Sequence, residues 1–269
     1  MLHEARRVLA AEWLKARKLR GTYVGIGIYL LVVLIMYFTV HLAVSRSFMG
    51  IKTGFFMAGA ALSATVTPLE FVGVLLVAFS LAREFSSGTI NLVWARPLSR
   101  RGWLLGKSLG TIIHLKIFLA ITIILVVAGA WAQFGYSSLM EKEYLIHSEA
   151  SLWWSLLIAV TLTWIALIAV IIYVEIAAMY IGNPGGTIAA CVAAGFVLQM
   201  AARWEPLTPY MLPTYLMVPL DQFQQMAKGL PLPYAWSSLF RMCLLGSAAW
   251  IIGGWLWASW LVKKKEVLG

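Results

Sequence analysis

From Thr22 to Val44 the chain runs 23 residues without a single Lys, Arg, Asp or Glu. An α-helix needs about 20 apolar residues to cross the hydrocarbon core of a bilayer, where backbone amides must be satisfied within the segment itself. Comparable runs follow at 59–82, 103–133, 152–181, 187–202 and 237–262, the fifth being the shortest. Only 12% of the residues are charged, against roughly 25% in soluble domains, and 61% are hydrophobic. The expected fold class is therefore an all-α membrane protein: one domain, residues 1–269, with six transmembrane helices. A membrane β-barrel would need recurrent ten-residue alternation, which no stretch of this chain provides. Ala43-Val44-Ser45 resembles a signal-peptide cleavage triplet. The apolar run before it exceeds the 7 to 15 residues or so of a signal core, so we read it as a retained span.

Charge placement predicts orientation. With both termini inside, the inner segments hold fourteen basic residues (Arg6, Arg83, Arg101 and Lys263 among them) against Glu4, Glu12, Glu84 and Glu266. The outer segments balance, six against six. The net charge of +10 is thus accounted for by a positive-inside bias, and it gives no reason to expect nucleic-acid binding. Pro68 and Glu70 interrupt the second run. A charge facing lipid at mid-bilayer costs about 2.5 to 3.5 kcal/mol, so Glu70 is expected near the outer interface.

Residues 2–20 place Leu2, Ala5, Leu9, Trp13 and Ala16 at helical spacing, with Arg7, Lys15 and Lys18 opposite and Val8 and Leu14 off the pattern. That is a basic amphipathic helix suited to lie in the inner interface, or else a plain positive flank. Between the second and third runs lies the bridge from Arg83 to Lys107, with five basic residues. Gly88 can break the preceding helix, and Thr89 can cap a short one through Ile90, Asn91, Val93 and Trp94. Pro97 ends it and pushes Arg96 toward extended backbone, and Ser99 can cap the next span. Ile90, Val93 and Trp94 would be poorly placed in water unless a partner groove or the headgroup region received them.

Six of the nine prolines fall between Arg203 and Tyr234. The apolar residues among them suggest broken helices dipping into the outer leaflet, acting as a lid or as a structural plug, in a re-entrant segment at 203–236. The other outer loop, Gly135 to Ala150, is polar and acidic and carries no motif.

Read as a whole, the bridge carries Glu84, Gly88-Thr89, Arg96-Pro97-Leu98-Ser99-Arg100 and Gly106-Lys107 in order, and so resembles the loop after the second span of ATP-binding-cassette type-2 exporter permeases. The amphipathic N-terminal segment, the six spans, the short fifth span and the outer segment before the sixth fit the same resemblance. It implies an elbow helix at 2–20, with Glu12, Trp13 and Lys15 on it, and a cytoplasmic coupling helix at 84–96 that rests in a cleft of a separate ATPase subunit. Contacts to that subunit would come from Arg83, Glu84, Phe85, Ser86, Ser87, Gly88, Thr89, Ile90, Asn91, Val93, Trp94 and Arg100. Phe85 departs from the charged residue that the family often shows there. The resemblance further implies two ATPase subunits, a second permease copy or paralogue, ATP and Mg on the partner chains with no cofactor on this one, and a place in the prokaryotic inner membrane with cytoplasmic termini. A drug, peptide or lipid-like molecule would be exported, and this chain would be no enzyme.

Competing readings rest on weaker patterns. Gly102 to Ser108 is one residue short of a phosphate loop and lacks the preceding strand. Gly106-Lys107-Ser108-Leu109-Gly110 matches G-x-S-x-G, which suggests an intramembrane serine hydrolase. The motif sits on a continuous helix, however, and His114 falls nearly opposite Ser108 at about 100° per residue. The closely spaced small residues fit tight helix packing instead. His3, His41, His114 and His147 lack metal-ligand spacing, and Cys191 and Cys243 sit in apolar runs as small hydrophobes. Lys116 and Glu175, both inside spans, are expected to neutralise each other, although ionisable groups in such places also suit a secondary transporter.

Overall fold

A computed structural model describes residues 2–18, 20–46, 53–94, 99–141 and 144–264. α1 (Leu2–Lys18) precedes α2 (Arg20–Arg46), and α3 (Gly54–Val77) continues through a π-helical turn, Ala78–Ala82, into α4 (Arg83–Ser86). α5 (Thr89–Trp94) and α6 (Arg100–Phe134) follow, then a hairpin of β1 (Leu139–Glu141) and β2 (Tyr144–His147). α7 (Glu149–Ile181), α8 (Pro184–Ala201), α9 (Leu212–Ala227) and α10 (Trp236–Lys264) complete the chain. Six of these helical rods, α2, α3 with α4, α6, α7, α8 and α10, are long and apolar enough to cross a bilayer, which makes this an all-α, multi-pass membrane protein. With six crossings, α1 and the end of α10 share one end of the bundle, called here the terminal end; α9 and the hairpin lie at the far end.

α7 is the central helix. Its most apolar stretch is 61% buried, against 6% for α8 and 11% for α2. Lipid tails are as apolar as leucine, so close backbone approach rather than hydrophobicity holds such helices together. α7 presents Ala159, Ala166, Ala169 and Ala178 fully buried, and Gly254 of α10 admits Ile172 and Tyr173 where a Cβ would lie 2.9 Å from each.

Local sequence explains the helix ends. Thr53, Ser99, Ser148 and Asn183 accept from the amides of Phe56, Gly102, Ser151 and Gly186, each supplying a first-turn donor with its acceptor. At the far end the Gly54 amide donates to the Gly135 carbonyl at 3.0 Å, an approach only glycine permits at position 54. Tyr136, Phe55 and Trp153 form an aromatic cluster there, the tilted Tyr136 ring having its centroid 4.6 Å from each of the other two, which meet edge to face at 5.1 Å.

Two regions gain detail, and the broken helices expected at 203–236 are corrected. The loop at 135–150 carries an antiparallel hairpin pairing Met140 with Leu145. Residues 203–236 hold a short 3-10 turn, Thr208–Tyr210, and one helix, α9, which continues through Pro219 and packs on α3 and α7. Ser63 donates to Asp221 at 3.0 Å and Thr163 to the Leu216 carbonyl at 3.2 Å, while Tyr215 donates to the Pro209 carbonyl. Glu70 lies midway between Gly54 and Ser86 along the continuous 33-residue rod. It is shielded at the side of α3, with Gly195 of α8 opposite.

Candidate functional site

The terminal end of α3 is built as a protruding knob. After α4 the chain turns at Gly88, whose φ of +68° lies in the region that glycine adopts without strain, and α5 starts at Thr89. The hydroxyls of Ser86 and Ser87 donate to the Arg83 carbonyl at 3.0 and 2.8 Å, closing the last turn of α4. The Ser87 and Thr89 hydroxyls meet at 2.9 Å across the turn. Arg83, Ser86, Ser87, Gly88, Thr89 and Asn91 are exposed, and Glu84 and Phe85 are partly buried. Phe85 meets Trp103 edge to face at 6.4 Å, which explains an aromatic at a position expected to be charged. Ile90 was expected in a partner groove or in the headgroup region; it is 5% exposed and joins the chain's own core. The side chains of Val93 and Trp94, and residues Arg96, Pro97 and Leu98, lie outside the described residues.

The knob is clamped from behind by α1 and α6. Gly102, Gly106 and Gly110 form a stripe at four-residue intervals on α6, and α1 lies in it. A Cβ on Gly106 would sit 2.6 Å from the Val8 Cβ and 2.8 Å from the Ala5 carbonyl. The buried face of α1 therefore centres on Ala5, with Val8, Leu9 and Glu12 partly covered, whereas Trp13, expected on that face, is 39% exposed and touches the His114 ring at 5.4 Å.

Between the glycines stands Lys107, 3% exposed. Its ammonium donates to Glu12 at 2.6 Å, to Glu84 at 2.5 Å and to the Ser80 carbonyl at 3.3 Å. Three donors thus meet three acceptors from α1, α4 and the π turn. A π turn widens the helix by one residue, which fits the Ser80 carbonyl's reaching a partner outside its own helix. Lys15 stands 3.6 Å from Glu84 and 3.9 Å from Glu12. The second Glu84 oxygen is buried without a hydrogen-bond partner among the described residues. A buried pair of this kind adds little net stability, but breaking it leaves uncompensated charge, so its effect is to fix geometry.

Two further contacts complete the clamp. Glu4 accepts from the Ser99 hydroxyl at 2.5 Å and from its amide at 3.2 Å, and these bonds hold its carboxyl below the ordinary carboxylate range. One residue past Lys107, Ser108 donates to Glu175 of α7 at 2.6 Å, both groups being buried. Glu175 is therefore met by Ser108, and the expected pairing with Lys116 is corrected: Lys116 is exposed on the side of α6. Ser108 and His114 face different neighbours, since the His114 ring contacts the Gly110 carbonyl. Arg100 is partly buried beside the start of α6.

The pairs Glu12–Lys107, Glu4–Ser99 and Ser108–Glu175 lie 95, 95 and 67 residues apart in sequence. Pairing of Lys107 with the elbow segment or with the ATPase was among the expectations, and Glu12 of that segment takes it; the other two pairs were not foreseen. The available signal was the glycine stripe, read only as tight packing, together with Glu4 and Glu12 eight apart on one helical face. Among the described residues no cluster of three potential metal ligands occurs.

No curated protein matches the chain. Residues 65–268, more than half of the chain, match the family model DUF2705, described as a protein of unknown function. The match begins within α3 and takes in the knob, Lys107 and Glu175 but not α1. The chain belongs to the DUF2705 family.

Proposed function

We propose that this chain is the permease subunit of an ATP-driven exporter, paired with a second permease and moved by separate ATPase subunits that bind ATP and Mg. The observation that carries this reading is the exposed knob of Arg83, Ser86, Ser87, Thr89 and Asn91, joined without interruption to a long membrane rod and fixed to two other helices through Lys107. A push on such a knob is transmitted as a rigid-body movement of α3 and α6 instead of being absorbed locally. The polar outer face suits a docked protein; the apolar Ile90 turns inward and stiffens the knob from beneath. This reading puts the terminal end, with its excess of Lys and Arg, in the cytoplasm.

The interior supports a pathway shared between two chains. Where α3, α6, α7 and α9 meet, the cavity lined by Leu62, Thr65, Leu69, Leu119, Val160, Thr163 and Leu220 amounts to about 10 Å³, too little for any cargo. α2 and α8 are barely buried and offer apolar faces, including Ile28, Leu31, Phe38, Phe196 and Val197, to lipid or to a second permease. Cargo of drug, peptide or lipid-like character would then pass between copies.

The test is purification of the tagged chain from its native membrane. An ATPase is expected to accompany it in a fixed ratio and to be lost when Ser86, Thr89 or Asn91 is replaced by Arg, with the chain itself still inserted. Purification of an active transporter without an ATPase, driven by an ion gradient, would replace this proposal with a secondary transporter. The hydrolase alternative requires Ser108→Ala to abolish a hydrolytic activity; the engagement of Ser108 with Glu175 gives it a packing role instead.

A further inference from the structure

At the terminal end, α6 and α10 leave between them a cavity of about 250 Å³, room for roughly eight waters. It is lined by Arg101, Trp255, Leu256, Ser259, Trp260 and Lys263. Two cations and a hydroxyl thus share a space with two indoles. Among the described residues neither Arg101 nor Lys263 forms an ion pair with a carboxylate, whereas Lys107 and Lys15 nearby both do. Lys264 stands 5.1 Å over the Trp260 ring, a cation–π contact that holds one wall in place.

The lining matches no purely apolar and no purely aqueous ligand. Among the described residues a hydrocarbon would bring Arg101 and Lys263 no counter-charge, and a free anion would make no use of the indoles. The cavity also opens onto a longer feature. Lys263, Trp260, Leu256 and Ile252 recur at three- and four-residue spacing, on one face of α10. Leu256 is 65% exposed and Ile252 60%. From Lys263 to Ile252 the helix rises about 16 Å, close to the roughly 15 Å of hydrocarbon in one leaflet. Charge at the rim, indoles at the boundary and an apolar strip of one leaflet's depth together describe the shape of a phospholipid. Basic pockets between membrane helices recognise anionic headgroups by this chemistry.

We propose that this cavity is a binding site for an anionic phospholipid, its phosphate held between Arg101 and Lys263 and an acyl chain lying along Trp260, Leu256 and Ile252. The inference requires only that the helices cross a membrane and is independent of the proposed role in ATP-driven export.

The experiment uses the purified full chain in a neutral detergent and measures binding of phosphatidylglycerol, phosphatidylcholine and inorganic phosphate by native mass spectrometry. Phosphatidylglycerol is expected to be retained in preference to phosphatidylcholine. The Arg101→Gln/Lys263→Gln variant should bind it roughly 30-fold more weakly, the loss expected for two basic contacts. Arg203→Gln/Lys228→Gln, which removes the same charge at the far end, should leave binding unchanged. Equal retention of the two lipids, an unchanged Arg101/Lys263 variant, or inorganic phosphate competing as well as the lipid would each overturn the proposal. A photoreactive phosphatidylglycerol on the wild-type chain provides an arm that does not depend on a variant folding. Crosslinks are expected within residues 252–263, and crosslinks found only elsewhere would refute the site.

Discussion

Lys107 directs its ammonium at Glu12, Glu84 and the Ser80 carbonyl, so removing it leaves two partly buried carboxylates with only the more distant, half-exposed Lys15 as counter-charge. Lys107→Met is expected to destabilise the bundle by about 3 kcal/mol, the lower end for a broken buried pair because both carboxylates keep some exposure. Combining it with Glu12→Gln and Glu84→Gln should recover most of that loss, as measured by unfolding midpoints in detergent; a triple variant no better than the single would show that the charges do not act as a unit. Ser108→Ala leaves Glu175 without its donor and should lower stability by about 1 to 3 kcal/mol, while Ser108→Ala with Glu175→Gln should be milder. Glu4 has a predictable pH signature. Its folded-state pKa is lowered by the Ser99 bonds, so its stabilising contribution is present above the ordinary carboxylate range and disappears as pH falls through the lowered value. In acid titrations Glu4→Gln should weaken docking of α1 at neutral pH and remove that part of the acid-induced loss; an unaltered acid limb would rule out this linkage.

The seating of α1 depends on which glycines of α6 lie closest to it. A Cβ at Gly106 would meet Val8 and the Ala5 backbone within 2.8 Å, but one at Gly110 would meet Glu12 at an ordinary 3.6 Å. Gly106→Ala should therefore loosen α1, seen as faster proteolysis of the N-terminal segment. Gly110→Ala should be neutral or stabilising by up to about 1 kcal/mol, the helix-propensity gain over glycine. If the two variants behave alike, α1 does not lie in the stripe as described. The spans were readable in the sequence because bilayer thickness sets a length that composition alone can meet, and Ser99 announced its helix through capping chemistry. α9 was not readable as one helix, since Pro213 and Pro219 suggested breaks. Proline at the first turn of a helix is compatible with it, and packing on α3 and α7 carries the chain through Pro219. Ile90 was misjudged for a related reason: sequence shows that a residue is apolar, but only tertiary packing shows whether its own chain can cover it.

At the scale of the whole molecule, the contacts that unite the terminal end join residues up to 95 apart, so a local pattern can mark the faces that meet but not the pairs they form. They gather α1, α4, α6 and α7 around Lys107 and Ser108, directly behind an exposed knob. The proposed export function requires that this end face the ATP-bearing compartment. The direct test replaces Cys191 and Cys243 with Ser, places a single cysteine at Ser86 or Asn91, and labels it with a membrane-impermeant maleimide in intact cells and in inverted membrane vesicles. Labelling only in inverted vesicles, with protection when the ATPase subunit is co-expressed, is the expected result. Labelling in intact cells would place the knob on the outer face, out of reach of any ATP-driven partner, and would contradict the account.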